Sequence, residues 1–308
     1  MTTTAPRTEV DPILEVVSVM GLATVQDAGR PGRMHEGIPP GGALVPELFG
    51  RANQAVGNPA GAPAIEWQGA ITVMACEAPL VLATDEGRPW VAAVGERFTL
   101  EPSPSSAVRY LAVAGGLDVP EVLGGRGTLL VARLGGLSGR ALRRGDRLSV
   151  GERPARDVIP PVARVGSPAA ASTWAPEGPI RVVPGPDAER FSAASLPLLL
   201  SSCYRVSPLG DRTGTRLVGP PLGRCDADSG APTPMVRGAI QVPAGGEPIV
   251  LGPDHPTTGG YPVIAVVLSA DHGRLAARRP GAEVRFTAVT MEAAGRLARE
   301  GRAPTERS

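Results

Sequence analysis

The chain has 308 residues, 40 of them Gly and 34 Pro, with 42% apolar and 20% charged residues and a formal net charge of +1. This composition supports buried cores and excludes a disordered chain, and the balanced charge gives no basic excess for nucleic acid. All 31 basic side chains are arginine, so this chain by itself cannot be a P-loop enzyme, a pyridoxal enzyme or a carrier of covalent biotin.

In chain order, Met1 to Asp11 is polar and lacks the apolar core of a signal peptide. Helical periodicity is expected at Leu44 to Val56, Ala188 to Leu200 and Met291 to Arg299. Strand patterns occupy Ala70 to Met74, Leu80 to Ala83, Val91 to Val94, Arg109 to Ala114, Ile180 to Val183, Ile249 to Leu251 and Val263 to Leu268. Gly, Pro, Asp or Asn breaks these runs every several residues, which points to a mainly β protein of sandwich or barrel type. The longest apolar run, Val263 to Leu268, is too short to span a bilayer. Cys76, Cys203 and Cys225 are odd in number and form no C-x-x-C pair, which suits free thiols in a reducing compartment. A soluble, cytoplasmic protein without membrane contact is expected.

Residues 69–85 and 238–254 repeat one another at a constant offset of 169, with nine identities in seventeen positions. Gly69/Gly238, Ile71/Ile240, Val81/Val250 and Asp85/Asp254 are among them. An acid–Gly turn precedes each copy (Asp27 with Gly29, Asp211 with Gly214), and a Gly-led strand signal follows each at Gly145 and Gly281. Two related β domains in tandem are expected, at 12–151 and 179–290. Between them lies a Pro/Ala-rich linker over 152–178, and a tail follows over 291–308.

Three clusters carry candidate chemistry. Gln26, Asp27 and Arg30, followed by Gly41-Gly42, combine an amide, a carboxylate, a guanidinium and approachable backbone. A structural turn, with Asp27 capping amides and Arg30 paired to an acid, is the competing reading. Arg205 to Arg216 surrounds Asp211 with arginines, as an anion site or a solvated strand face. Asp254-His255-Pro256-Thr257-Thr258-Gly259-Gly260-Tyr261-Pro262 places two hydroxyls beside a Gly-Gly that lets a ligand approach closely. His35, His255 and His272 show no metal-binding spacing, so no metal site is expected. His255 is at most a candidate acid–base group.

The order of these motifs resembles the biotin-dependent carboxyltransferase-like family, which includes the 5-oxoprolinase C component, allophanate hydrolase subunit 2 and KipA. The match is carried by Thr24-Val25-Gln26-Asp27 with Gly29-Arg30; Gly41-Gly42-Ala43; Glu66 near Gly69; Tyr110 to Gly116; Asp211-Arg212 with Gly214 and Arg216; Gly238 to Pro243, including Gln241; and Asp254 with Thr257 to Pro262. It covers about Ile13 to Phe286.

The resemblance implies two tandem cyclophilin-like β-barrel domains with a few short helices. It also implies an ATP-dependent 5-oxoprolinase that opens the lactam of 5-oxoproline to glutamate and is active in complex. Its partners are a B-type subunit (allophanate hydrolase subunit 1-like, KipI-like) and an A-type subunit. ATP is bound by or shared with a partner, and biotin enters only on another chain. The alternatives are carboxyl transfer between biotin and a urea-like amide, or a non-enzymatic KipA-like regulatory subunit. Under the hydrolase reading Asp27, Arg30, Asp211, Arg212 and Asp254 are the catalytic candidates. Gln26, Glu66, Arg216, Gln241, Thr257, Thr258, Gly259, Gly260 and Tyr261 are the substrate-binding ones. The sequence departs from the family pattern at Val45, Gly125, Pro256 and Ala277, and Gly124-Gly125-Arg126-Gly127-Thr128 stands where Gly-Ser-Arg-Ser-Thr is usual. A changed substrate or reduced activity is the expectation attached to those positions.

Overall fold

The computed structural model describes residues 11–152, 176–225 and 230–300. The expected linker lies outside the described residues from 153 to 175, as does the tail from 301. The chain forms two compact units. Residues 11–28, 48–102 and 109–152 make one; residues 29–47, 103–108, 176–225 and 230–300 make the other. Segments 29–47 and 103–108 therefore belong to the second unit although they lie within the 12–151 stretch.

In the first unit the strands are β1 (Ile13–Met20), β2 (Ala23–Gln26), β3 (Ala64–Trp67), β4 (Ala70–Cys76), β5 (Leu80–Thr84), β6 (Pro89–Ala92), β7 (Arg97–Leu100), β8 (Arg109–Val113) and β9 (Arg147–Ser149). They form a four-stranded sheet, β7-β4-β1-β9, and a five-stranded one, β2-β3-β8-β5-β6. Alternation along β1 and β4 turns Leu14, Val16, Ile71 and Val73 into a core shared with Ile65, Trp67, Leu82 and Leu111. The helix expected near Leu44 to Val56 is α1 (Pro46–Ala55). Proline opens it, where no N–H is required, and Gly57 stops it at φ +74. Its Phe49 meets Tyr110 edge-on at 5.7 Å. The strand expected at Val91 to Val94 ends at Ala92, because the Ala93 N–H donates to the Glu96 side chain and turns the chain.

The second unit contains β10 (Ile180–Pro184), β11 (Tyr204–Val206), β12 (Gly214–Val218), β13 (Thr233–Pro234), β14 (Ala239–Gln241), β15 (Ile249–Leu251), β16 (Thr258–Gly259), β17 (Val263–Val267), β18 (Glu283–Val284) and β19 (Phe286–Ala288). Eight of these form one sheet in the order β18-β11-β12-β15-β14-β17-β10-β19. Its two end strands are consecutive in the chain, separated only by Arg285, so the sheet is nearly closed into a barrel. Ile180, Tyr204, Leu217, Ile240, Val250, Ile264 and Phe286 fill its interior. The helices are α2 (Ser195–Ser201), α3 (His272–Ala276) and α4 (Met291–Glu300). The single helix expected over Ala188 to Leu200 is instead a short turn at Ala188–Arg190 followed by α2. Phe191 breaks it by adopting an extended conformation to bury its ring and bridge to Arg224. The mainly β architecture with barrel sheets and few short helices is thus the one expected.

The repeat is visible in backbone geometry. Gly69 and Gly238 both sit at φ +87, and the corresponding Glu77 and Gly246 sit at φ +67 and +79. The pairing differs, however. In the first copy β4 and β5 belong to different sheets, whereas in the second β14 and β15 pair directly, Ile240 opposite Val250. Pro243, the counterpart of Met74, has no N–H for a ladder bond, and β14 ends at Gln241, short of it.

Candidate functional site

The catalytic and substrate-binding candidates fall into two groups, one per unit. In the first unit β2 is buried along its whole length, and its pairing sets Thr24 opposite Glu66 on β3, which in turn sets Glu66 opposite Tyr110 on β8. The Gln26 amide nitrogen donates to Thr24 Oγ1 and to the Thr128 carbonyl, both at 3.0 Å. Asp27 accepts the Arg126 backbone N–H at 2.5 Å, and Glu66 accepts the Tyr110 hydroxyl at 2.7 Å. Asp27 therefore caps backbone, as in the structural reading of its turn. A side chain at Gly127 would begin 2.7 Å from Asp27 Oδ1 and 2.9 Å from Gln26 Oε1, so glycine there is what lets the two acceptors close over the loop. Thr128 Oγ1, not singled out from the sequence, is buried beside them without a hydrogen-bond partner.

In the second unit the β12–β15 register runs Gly214 opposite Leu251, Thr215 opposite Val250 and Arg216 opposite Ile249. It continues outward through Gly252 N–H to Thr213 O and Asp254 N–H to Arg212 O. That continuation brings together two residues 42 apart. Arg212 Nε donates to Asp254 Oδ2 at 2.8 Å and Nη2 to Oδ1 at 3.0 Å, with both side chains 4% exposed. Arg212 Nη2 also donates to the Gly42 carbonyl at 2.7 Å. Arg237, likewise missed, donates to the Ala43 and Leu44 carbonyls, and Gly41 N–H donates to Pro253 O. The segment carrying Arg30 is thus tied at four successive residues, 41 to 44, to Pro253, Arg212 and Arg237, which flank β15, β12 and β14. Arg30 is only 2% exposed; its Nη1 and Asp254 Oδ1 each lie 3.9 Å from where a side chain on Gly41 would begin. Two buried guanidiniums and one carboxylate thus gather around a glycine turn, a setting suited to an anion.

The remaining candidates are spread around this centre. Asp211 is exposed and spends its carboxylate on Thr213 N–H (2.8 Å) and Gly214 N–H (3.3 Å), a turn that points the next residue, Arg212, inward. Arg216 is exposed on β12. Gln241 donates to Met235 Sδ at 3.1 Å and to the Tyr261 carbonyl at 3.4 Å, behind Gly259. Thr258 and Tyr261 are exposed, and Thr257 is half-buried. His255 is fully buried beside this tip; burial, helped by the charge of Arg237, pulls its pKa below the ordinary imidazole range, against Pro256 O and Asp254. The only signal for Arg237 in the sequence is its adjacency to Gly238, whereas His255 is expected at most as an acid–base group.

Residues 36–288 match the carboxyltransferase domain, subdomain A and B. The chain belongs to that carboxyltransferase-domain family. It is 36% identical over 301 residues to the 5-oxoprolinase C component of Escherichia coli, covering 92% of this chain and 93% of that one. The corresponding protein of Haemophilus influenzae is 30% identical over 302 residues, covering 94% and 95%. Among solved structures, urea carboxylase of Kluyveromyces lactis superposes with a TM-score of 0.82 at 27% identity, over 95% of this chain but 29% of that one. A further solved chain, 30% identical with a TM-score of 0.77, is matched over 57% of its length. The homologues are parts of amide-processing enzymes, and this carboxyltransferase-domain chain has the fold of such a part. Among the described residues no helix is long and apolar enough to cross a membrane.

Proposed function

We propose that this chain is the C component of an ATP-dependent 5-oxoprolinase, a cyclic amide hydrolase active only in complex with partner subunits. The observation that carries the reading is the similarity to two 5-oxoprolinase C components over nearly their whole length. The chemistry of the second unit supports it. Opening an amide develops negative charge on the carbonyl oxygen, and buried arginines in a low-dielectric setting stabilise that charge more than water does. Arg30 and Arg212 supply the guanidiniums, and Asp254 holds Arg212 in a fixed plane. Lacking lysine, the chain meets any phosphate with arginine, hydroxyls and backbone amides, and ATP is bound by or shared with a B-type or A-type partner. The test is reconstitution with those partners, scoring glutamate and phosphate release from 5-oxoproline and ATP.

The likeness to urea carboxylase favours a second reading, carboxyl transfer to a urea-like amide. Biotin then arrives on another chain, since none can be attached here. Transfer of labelled carboxylate from a biotinylated carrier to urea distinguishes it from hydrolysis.

A further inference from the structure

His255 combines full burial with an atom left over. Its Nδ1 lies 2.7 Å from the Pro256 carbonyl oxygen. A carbonyl only accepts, so Nδ1 carries the ring proton. In the neutral ring Nε2 is then a bare lone pair, and this atom is buried without a hydrogen-bond partner. An unmade buried hydrogen bond costs about 1–3 kcal/mol. Protonation would make Nε2 a donor, but burial and Arg237 disfavour the cation more than Asp254 and the Pro256 carbonyl favour it. Bare Nε2 is the resting form.

Its surroundings say what kind of group is missing. The preceding main chain is pinned by Gly252 N–H to Thr213 O, Gly41 N–H to Pro253 O and Asp254 N–H to Arg212 O. Directly after His255 the chain reaches the surface, with Pro256, Thr258 and Tyr261 exposed. That tip is held by the short β13–β16 pairing, Met235 N–H to Thr257 O and Gly230 N–H to Gly260 O. A small amide presents a carbonyl and an N–H. The arginines of the site only donate, so they suit its oxygen, and its N–H needs an acceptor. Each oxygen of Asp254 already accepts from Arg212, whereas Nε2 is an acceptor that receives nothing.

We propose that His255 Nε2 accepts a hydrogen bond from the N–H of a small amide bound beneath the Thr257–Tyr261 tip, with the Pro256 carbonyl fixing the ring for that role. Binding displaces the tip enough to uncover Nε2. The proposal rests on the reading of the ligand as a small amide.

Two substitutions separate this role from a structural one. His255→Asn keeps a nitrogen where Nδ1 donates to Pro256 but removes Nε2; His255→Gln keeps an acceptor near Nε2 but removes the Nδ1 donor. In the reconstituted complex, kcat/KM for 5-oxoproline falls roughly ten-fold or more in the Asn variant and by less in the Gln variant. The opposite order overturns the proposal. Histidine-15N NMR of the full chain reads the same atom without turnover. Adding 5-oxoproline or urea shifts the His255 Nε2 signal while Nδ1 stays protonated. A shift with urea alone supports the acceptor and overturns the 5-oxoproline assignment; no shift with either amide overturns the acceptor.

Discussion

Arg212 and Asp254 form a two-bond ion pair, 2.8 and 3.0 Å long, that is almost wholly withdrawn from water. Breaking such a pair leaves one charge buried and uncompensated, which costs about 3–5 kcal/mol, whereas replacing both partners with apolar groups is often close to neutral. Arg212→Met and Asp254→Leu alone should therefore each lower stability by about that amount in urea unfolding. The double substitution should recover most of it while remaining inactive in the complex. Recovery of activity along with stability would show that the pair has no chemical role.

The partly buried ring of His272 should make stability depend on pH. Burial, the charge of Arg237 and nearby His255 hold its pKa down at about 4, against the Val267 carbonyl and Asp271. The unfolded chain takes up that proton near the ordinary 6.5. Between those values the unfolded state binds more protons, so stability falls as pH drops from about 6.5 to about 4 and levels off below. At about 1.4 kcal/mol per unit of displacement, the loss is about 3 kcal/mol in all. Denaturant titrations of the full chain and of His272→Gln should differ in this window, with the variant showing the flatter dependence.

The two copies of the repeat should fail in the same way. Gly69 and Gly238 share φ +87; a Cβ on the first meets the Met20 carbonyl, and on the second the Val267 carbonyl and the His272 ring. Gly69→Ala and Gly238→Ala should each cost more than about 1 kcal/mol, read as a lower urea midpoint at unchanged slope.

Restoring the usual serine at position 127 should harm rather than help. Its Cβ would begin 2.7 Å from Asp27 Oδ1 and force Asp27 or Gln26 aside. With Asp27 in a catalytic role, Gly127→Ser should lower activity of the complex on the order of 100-fold. Unchanged turnover would assign Asp27 to its backbone cap at Arg126 alone.

Much of this was legible from local pattern. Alternation located β4, because a strand with one buried face writes its period into the sequence, and short apolar runs bounded by turn residues located β5, β8, β15 and β17, which are buried on both faces. The repeat foretold that Asp254 and Asp85 would be equivalent. Each closes its copy as a buried carboxylate bound by an arginine, Arg212 in one and Arg109 (3.0 Å) in the other. Those arginines are not repeat counterparts, and no spacing rule links residue 212 to 254; only the β12–β15 register does. The assignment of residues 29–47 to the second unit was hidden for the same reason. It depends on carbonyls of Gly42, Ala43 and Leu44 meeting Arg212 and Arg237 between 170 and 194 residues later, and backbone carbonyls leave no mark in sequence. The burial of His255 was not legible, because burial of a single polar ring has no periodicity to betray it.

The most direct test of the account is turnover by the chain reconstituted with B-type and A-type subunits, supplied with 5-oxoproline and ATP. Glutamate and phosphate should appear together, and both should be lost in Arg212→Met with the assembled complex intact. A complete complex that releases no glutamate, or one in which Arg212→Met turns over as fast as the unaltered chain, would contradict it.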